Sequence, residues 1–264
     1  MAATIFKEIT DAIKTRSQHL LTFNDLDAED FAQILQGLRH RTNHLEQYSF
    51  RIHWFAADKI LKVVMPSRLH EVPAAWLFAT ITKASGQGLI PQVWHQTMDI
   101  SPAPEYKNFV GPYINSIKEA DLTFVPLVGP NWTTNAEFPT VVLESGWTEG
   151  EEQLDRDAML WQEGSGGQVR VVIQVKFFHQ EEDRIGALLR INRAHPNGAT
   201  SRECYEILPP GGNHSENPSI TFSEFYGGHC PPGVVPEDSL VLELESLRER
   251  ARREIRARSA VPAL

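Results

Sequence analysis

Four charged residues stand where apolar runs ought to exclude them: Glu71, Asp121, Glu144 and Lys176. Lys176 is the sharpest case, because VRVVIQVKFF at 169–178 reads as an interior strand until its eighth residue. In an extended chain Val171, Ile173, Val175 and Phe177 share one face, and Val172, Gln174, Lys176 and Phe178 share the other. Moving an ammonium out of water costs several kcal/mol, so a lysine among such neighbours calls for an anion. Asp121 opens the strand-like DLTFVPL, Glu144 ends the run TVVLE, and Glu71 stands at the start of a helix after VVMPSRLH. Any one of these acids alone reads as a structural carboxylate that caps a helix or pairs with an arginine. Together with a lysine they suit a definite chemistry. Hydrolysing a phosphodiester at neutral pH requires a lowered pKa for the attacking water and neutralisation of charge on the phosphoryl oxygens, and a Mg²⁺ held by one or two carboxylates supplies both. A nearby lysine orients the water or stabilises the transition state. Clustering also gives Lys176 a counter-ion, Glu144 on a neighbouring strand.

The elements that would position these groups follow from periodicity and punctuation. Residues 27–39 form an amphipathic helix with Asp27 as cap and Phe31, Ile34, Leu35 and Leu38 on one face. YSFRIHWF and ILKVVMP flank the turn-like AADK and predict a hairpin. SRLHEVPAAWLFATITKASGQG predicts a helix ending at glycine, with Ser67 as an early cap or Pro73 in its first turn. VWHQTMDI, DLTFVPLV and FPTVVLESG read as strands. A helix fits EGEEQLDRDAMLWQ, capped by Thr148 and Glu151, with Leu154, Ala158 and Trp161 recurring on one side. GSGG ends it before the strand that carries Lys176. Strand, helix, strand implies a crossover unit with two parallel strands, hence an α/β class with a mixed central sheet flanked by helices. RIGALLRINR and SRECYEILP predict a second hairpin, SITFSEFYG a further strand, and SLVLELESLRERARREIRARS a terminal helix.

Composition bounds the rest. A chain of 264 residues, 41% hydrophobic, fits one elaborated domain. MAATIFKEITDAIK is charged, and no run approaches the roughly 20 apolar residues of a membrane span, so the expectation is a soluble, intracellular protein without a membrane partner. Cys204 and Cys230 are expected as reduced thiols. A net charge of −9 opposes a broad DNA-coating role but leaves room for a local basic groove. The arginines at 248, 250, 252, 253, 256 and 258, diluted by Glu249 and Glu254, read as a solvated helix face.

Three blocks carry a resemblance: KVVMPSRLHE at 62–71, EADLTFVP at 119–126, and FPTVVLESGWTEGEEQLDRDAMLWQEGSGGQVRVVIQVKF at 138–177. With their spacing they resemble the restriction-endonuclease-like PD-(D/E)xK superfamily, in particular its fungal group and related bacterial proteins, over roughly residues 48–230. The resemblance implies a restriction-endonuclease-like core at 48–235, an N-terminal helical extension at 1–47 and a C-terminal helix at 236–264. It implies a Mg²⁺- or Mn²⁺-dependent nuclease with nucleic acid as partner, in the cytoplasm or nucleus. It makes Asp121 the first sheet carboxylate, Glu144 the second and Glu71 an additional ligand. The motif lysine, usually two residues after the second acid, is missing here, because Ser145 and Gly146 follow Glu144. Either Lys176 reaches the same point from the adjacent strand, or Glu144 is the first acid and Gln174-Val175-Lys176 a QxK form of the second motif. Migration is preferred, since ADLTFVP and VVLESG would then be neighbouring strands. The displaced lysine equally suits an inactive member that binds nucleic acid or a protein. Two copies pairing as a homodimer would serve to cut both strands of a duplex.

Lesser candidates surround these. Gln174 shares the face of Lys176 and is placed to touch the scissile phosphate, or else to be satisfied by a neighbour. His70 beside Glu71 is a metal or phosphate contact or a local hydrogen-bonding residue. Asp155 and Asp157 lie on an acidic helix whose simplest role is solubility, and Trp76 and Trp161 sit at core positions rather than as base-stacking platforms. GSGGQ lacks the Lys-Ser/Thr of a phosphate loop, GHC at 228–230 is too small a set for zinc, and no GxSxG is present.

Overall fold

The computed structural model describes residues 1–147, 150–211 and 216–263, the side chains of residues 151 and 182 excepted. Numbered along the chain, the helices are α1 (Ala2–Thr15), α2 (Ala28–Arg39), α3 (Val72–Gly86), α4 (Trp94–Thr97), α5 (Glu151–Gly164), α6 (Phe222–Phe225) and α7 (Leu244–Ala257). The strands are β1 (Leu20–Phe23), β2 (Arg51–Phe55), β3 (Ile60–Val64), β4 (Met98–Pro102), β5 (Glu105–Tyr106), β6 (Lys118–Glu119), β7 (Leu122–Val128) and β8 (Thr134–Asn135). They continue as β9 (Val141–Trp147), β10 (Val171–His179), β11 (Arg184–Ala194), β12 (Thr200–Leu208), β13 (Ser219–Thr221), β14 (Ser239–Val241) and β15 (Val261–Pro262). No helix among the described residues is long and apolar enough to cross a membrane.

The chain forms two compact units, where the sequence favoured one. The smaller comprises Met1–Ser67 and Glu105–Glu119. In it β3 lies between β1 and β2, both antiparallel to it. The hairpin expected around AADK is therefore present, and it shares the smaller unit with the N-terminal helices. Ile52, Trp54, Leu61 and Val63 join Ile9, Ile13, Phe31 and Ile34 of α1 and α2 in one core. Phe31 stacks on Trp54 at 4.4 Å between centroids. The Asp27 carboxylate accepts from Asp30 N at 2.8 Å, the cap read from the sequence. Glu119 Oε1 accepts from Ile52 N, and burial, opposed by that bond, pushes the Glu119 carboxyl up.

The larger unit, Arg68–Pro104 and Ala120–Leu264, is built on a mixed sheet of order β12-β11-β10-β9-β7-β4. β9 and β10 are parallel and joined by α5, the crossover implied by the sequence. β11 and β12 form the second hairpin. Alternation sorts the sheet residues cleanly. Leu122, Phe124, Val141, Leu143, Val171, Ile173, Val175 and Phe177 share one core with Trp76 of α3 and Leu247, Ala251 and Ile255 of α7. Thr123, Val142, Glu144, Val172, Gln174 and Lys176 occupy the opposite face, which α5 covers through Leu154 and Trp161.

Two strand expectations fail for local reasons. VWHQTMDI yields a strand only from Met98, because Trp94 N donates to Pro91 O and starts α4. Trp94 then lies edge-on to Phe222, Phe225 and Tyr226, and Thr97 Oγ1 pairs with Tyr226 Oη at 2.7 Å; this aromatic packing outweighs β propensity. SITFSEFYG stops as a strand at Thr221, which with Glu224 makes a capping box for α6. Pro73, not Ser67, marks the first turn of α3. Gly150 is the N-cap of α5, and the proposed Thr148–Glu151 box lies outside the described residues.

Candidate active site

Three adjacent strands of the larger unit position Asp121, Glu144, Gln174 and Lys176, while Glu71 stands off the sheet at the start of α3. Asp121 immediately precedes β7, and its backbone N–H donates to Leu143 O at 3.1 Å. Its carboxylate then takes over the ladder: Oδ2 accepts from Ser145 N, where a strand carbonyl would otherwise stand. The acid is 3% exposed, held by a backbone donor one residue beyond Glu144. Glu144 pairs with Gln174 across the parallel β9/β10 ladder, so their side chains share a face. Two residues on, Gly146 pairs with Lys176. The lysine thus stands directly across from the position two residues after the acid.

Contacts to the acids are specific. Trp161 Nε1 donates to Glu144 Oε1 at 2.6 Å, with Glu144 8% exposed. His70 Nδ1 lies 3.6 Å from Asp121 Oδ1, so a histidine expected beside Glu71 as a contact of its own faces the first acid. Glu71 is the N-cap residue of α3 and makes no side-chain cap bond.

Lys176 differs from expectation. It is only partly buried, and among the described residues it forms no ion pair, with Glu144 or with any other acid; its ammonium lies 5.8 Å from the Phe178 ring centroid. A position near the open end of β10 spares the ammonium full desolvation, so the counter-ion inferred from burial is not required. Gln174 is 1% exposed and both ends of its amide are committed: Nε2 donates to Leu154 O at 2.7 Å and Oε1 accepts from Asn192 Nδ2 at 2.9 Å. It bolts α5 to the sheet beneath Glu144, and contact with a phosphate would break one of these bonds.

Among the described residues no three His, Cys, Asp or Glu side chains are grouped to cage a metal ion. Mg²⁺ does not need such a cage, since it is commonly held by one or two carboxylates with water and substrate oxygens completing its shell. Ser145 N and Trp161 Nε1, which donate to Asp121 Oδ2 and Glu144 Oε1, are the kind of outer contact that orients a metal-binding carboxylate.

Three of the remaining charges, Asp155, Asp157 and Arg248, behave differently from a solvated surface. Asp155 pairs with both Arg190, at 3.3 Å, and Arg202, at 2.6 Å, while Asp157 is 4% exposed and accepts from Gln153. The acidic face of α5 is therefore partly turned into the protein. On α7, Arg248 is buried and donates to Ile207 O and Glu206 O of β12, whereas Arg252 and Arg258 make the surface pairs expected of a helix face. Trp76 and Trp161 are both core residues, as expected, and the bond from Trp161 to Glu144 is an addition that helical spacing could not reveal. Cys204 and Cys230 are free thiols. Compared with models of known protein families and with curated proteins, the chain gives no match.

Proposed function

We propose that the larger unit is a nuclease-like domain of the restriction-endonuclease type that hydrolyses phosphodiester bonds of nucleic acid with Mg²⁺ or Mn²⁺. The observation that carries the reading is the register of β9 and β10, which sets Lys176 opposite Gly146, two residues past Glu144. The carboxylates of Asp121 and Glu144 hold the ion, and Glu71 assists directly or through water. The bound ion would supply charge neutralisation at the phosphoryl group and a water of lowered pKa. Lys176 donates to the nucleophile or to a phosphoryl oxygen, stabilising charge as it develops. Ser145 N–H and Trp161 Nε1 each fix one acid oxygen and so orient the other. Nucleic acid as substrate goes with a cytoplasmic or nuclear location, and cutting both strands of a duplex with a homodimer.

One second reading has its own support: a restriction-endonuclease-like fold without catalysis, serving as a nucleic-acid or protein binding module. The absence of a three-residue metal group among the described residues and the net charge of −9 favour it. Thermal unfolding with added metal separates the two. An ion present at about 100 times its Kd stabilises the folded state by ~2.7 kcal/mol, about 5–11 °C for a protein of this size. A rise of that order with Mg²⁺ or Mn²⁺, together with cleavage of DNA or RNA, supports the nuclease. No rise at millimolar metal and no cleavage leaves the binding module.

A further inference from the structure

The proposed reaction leaves one group of the candidate site, the His70 ring, without a task. His70 stands between β3 and α3, one position before the N-cap residue Glu71, and its ring faces the acid just before β7. Neither side chain is much exposed: 11% for His70 and 2% for Asp121. Asp121 Oδ2 accepts from Ser145 N, and it is the other oxygen, Oδ1, that lies 3.6 Å from His70 Nδ1.

That separation is too wide for a hydrogen bond, whose N–H···O distance is about 2.7–3.2 Å. An imidazolium held against Asp121 for structure alone would gain by closing to the ~2.7–2.9 Å of a charge-assisted bond. Two atoms that bind one ion obey a different spacing. With metal–ligand bonds of about 2.0–2.2 Å and angles between a right angle and tetrahedral, they stand roughly 2.8–3.6 Å apart. His70 Nδ1 and Asp121 Oδ1 fall at the upper end of that range.

The chemistry of the pair then bears on the choice of ion. Mg²⁺ takes oxygen ligands and keeps much of its water, whereas an imidazole nitrogen suits first-row transition ions, for which affinity climbs from Mn²⁺ to Co²⁺. We propose that His70 and Asp121 are ligands of one ion, and that the nitrogen makes the site select a first-row transition ion over Mg²⁺. The inference rests on the reading of Asp121 as a metal ligand, and adds to it a second ligand and a preference among ions. Two protein ligands agree with the lack of a three-residue metal group among the described residues, and water and phosphoryl oxygens fill the other positions.

The test is calorimetric titration of the full chain with Co²⁺, Mn²⁺ and Mg²⁺ in turn, without nucleic acid, together with the visible absorption of the Co²⁺-loaded protein. The parent should bind Co²⁺ more tightly than Mn²⁺ and Mn²⁺ more tightly than Mg²⁺, with a Co²⁺ spectrum unlike that of the aqueous ion. His70→Ala should lose at least the 10–100-fold in Co²⁺ affinity that loss of a mere outer-shell partner costs, and change Mg²⁺ affinity by no more than about threefold. His70→Gln, closer in size, should show the same pattern should His70→Ala fail to fold. Asp121→Asn should weaken all three ions, since a Co²⁺ that stays bound there sits elsewhere. Parental Co²⁺ affinity in both histidine variants, with all ions weakened in Asp121→Asn, overturns the proposal and leaves the carboxylate site standing. A parent whose bound Co²⁺ has the aqueous spectrum, or an Asp121→Asn variant that keeps Co²⁺, overturns it as well. Failure of the parent to bind any of the three ions at about 10 mM, weaker than ordinary ligand affinities, overturns it together with the metal-dependent nuclease reading.

Discussion

Asp121 has two separable roles, and two substitutions tell them apart. Its carboxylate continues the β7/β9 ladder by accepting from Ser145 N, and its charge is available to an ion. Asp121→Ala removes the acceptor and orphans a buried backbone N–H, at a cost of about 2 kcal/mol, or ~4–8 °C in Tm for a unit of this size. Asp121→Asn keeps an oxygen at the same place and weakens a charge-assisted bond to a neutral one, so the loss should be about half as large. Both variants lose the metal-binding charge. Thermal unfolding followed by circular dichroism, with and without millimolar Mn²⁺, reads the two roles at once. The expected pattern is a smaller drop for Asp121→Asn than for Asp121→Ala, and no metal-induced rise in either. Equal drops would refute the ladder role, and a parental metal response in Asp121→Asn would refute the ligand role.

Three further outcomes follow from single contacts. Trp161→Phe keeps most of the ring volume but removes the donor to Glu144 Oε1, and should lower unfolding free energy in urea by about 1.5–3 kcal/mol; a change below about 0.5 would mean the bond contributes nothing. Arg248→Ala strips the donors from Ile207 O and Glu206 O and should cost ~2 kcal/mol by the same measurement, with Arg248→Lys failing to restore it because one ammonium cannot reproduce the planar fork. The Tyr205 hydroxyl is pushed up to about 12 by burial and by its bond to Glu203, so ultraviolet titration should show late ionisation and Glu203→Gln should bring it earlier. Because the folded pKa lies above the unfolded value of 10.0, this group's contribution to stability is complete below that pH and is lost as pH rises towards about 12.

Much of the larger unit was legible because its signals are local. The alternation in VRVVIQVKFF gave the two faces of β10, and the helix pattern between VVLESG and that strand gave the parallel crossover that puts Glu144 and Lys176 on one face. What stayed hidden depends on partners distant in sequence. The aromatic pocket around Trp94 is assembled from residues 124 and 222–226, so nothing in VWHQTMDI announces its helical turn. The hairpin at 51–64 reads the same whichever core it joins, and its membership of the smaller unit is decided by Ile52 and Trp54 packing on α1 and α2. Asp155 looked like surface charge because Arg190 and Arg202 arrive from the following hairpin. The burial of Lys176 was overestimated for a simpler reason: alternation tells which face a side chain takes, not how near the open end of a strand it lies.

The most direct test of the account is single-turnover cleavage of labelled DNA and RNA in the presence of Mg²⁺ by the parent protein and by Lys176→Ala. A lysine that stabilises developing charge accounts for about 10²–10³ in rate, so the account predicts a loss of that size with Tm changed by no more than about 2 °C. Equal rates for the two proteins, or a parent that cuts neither polymer, would contradict it.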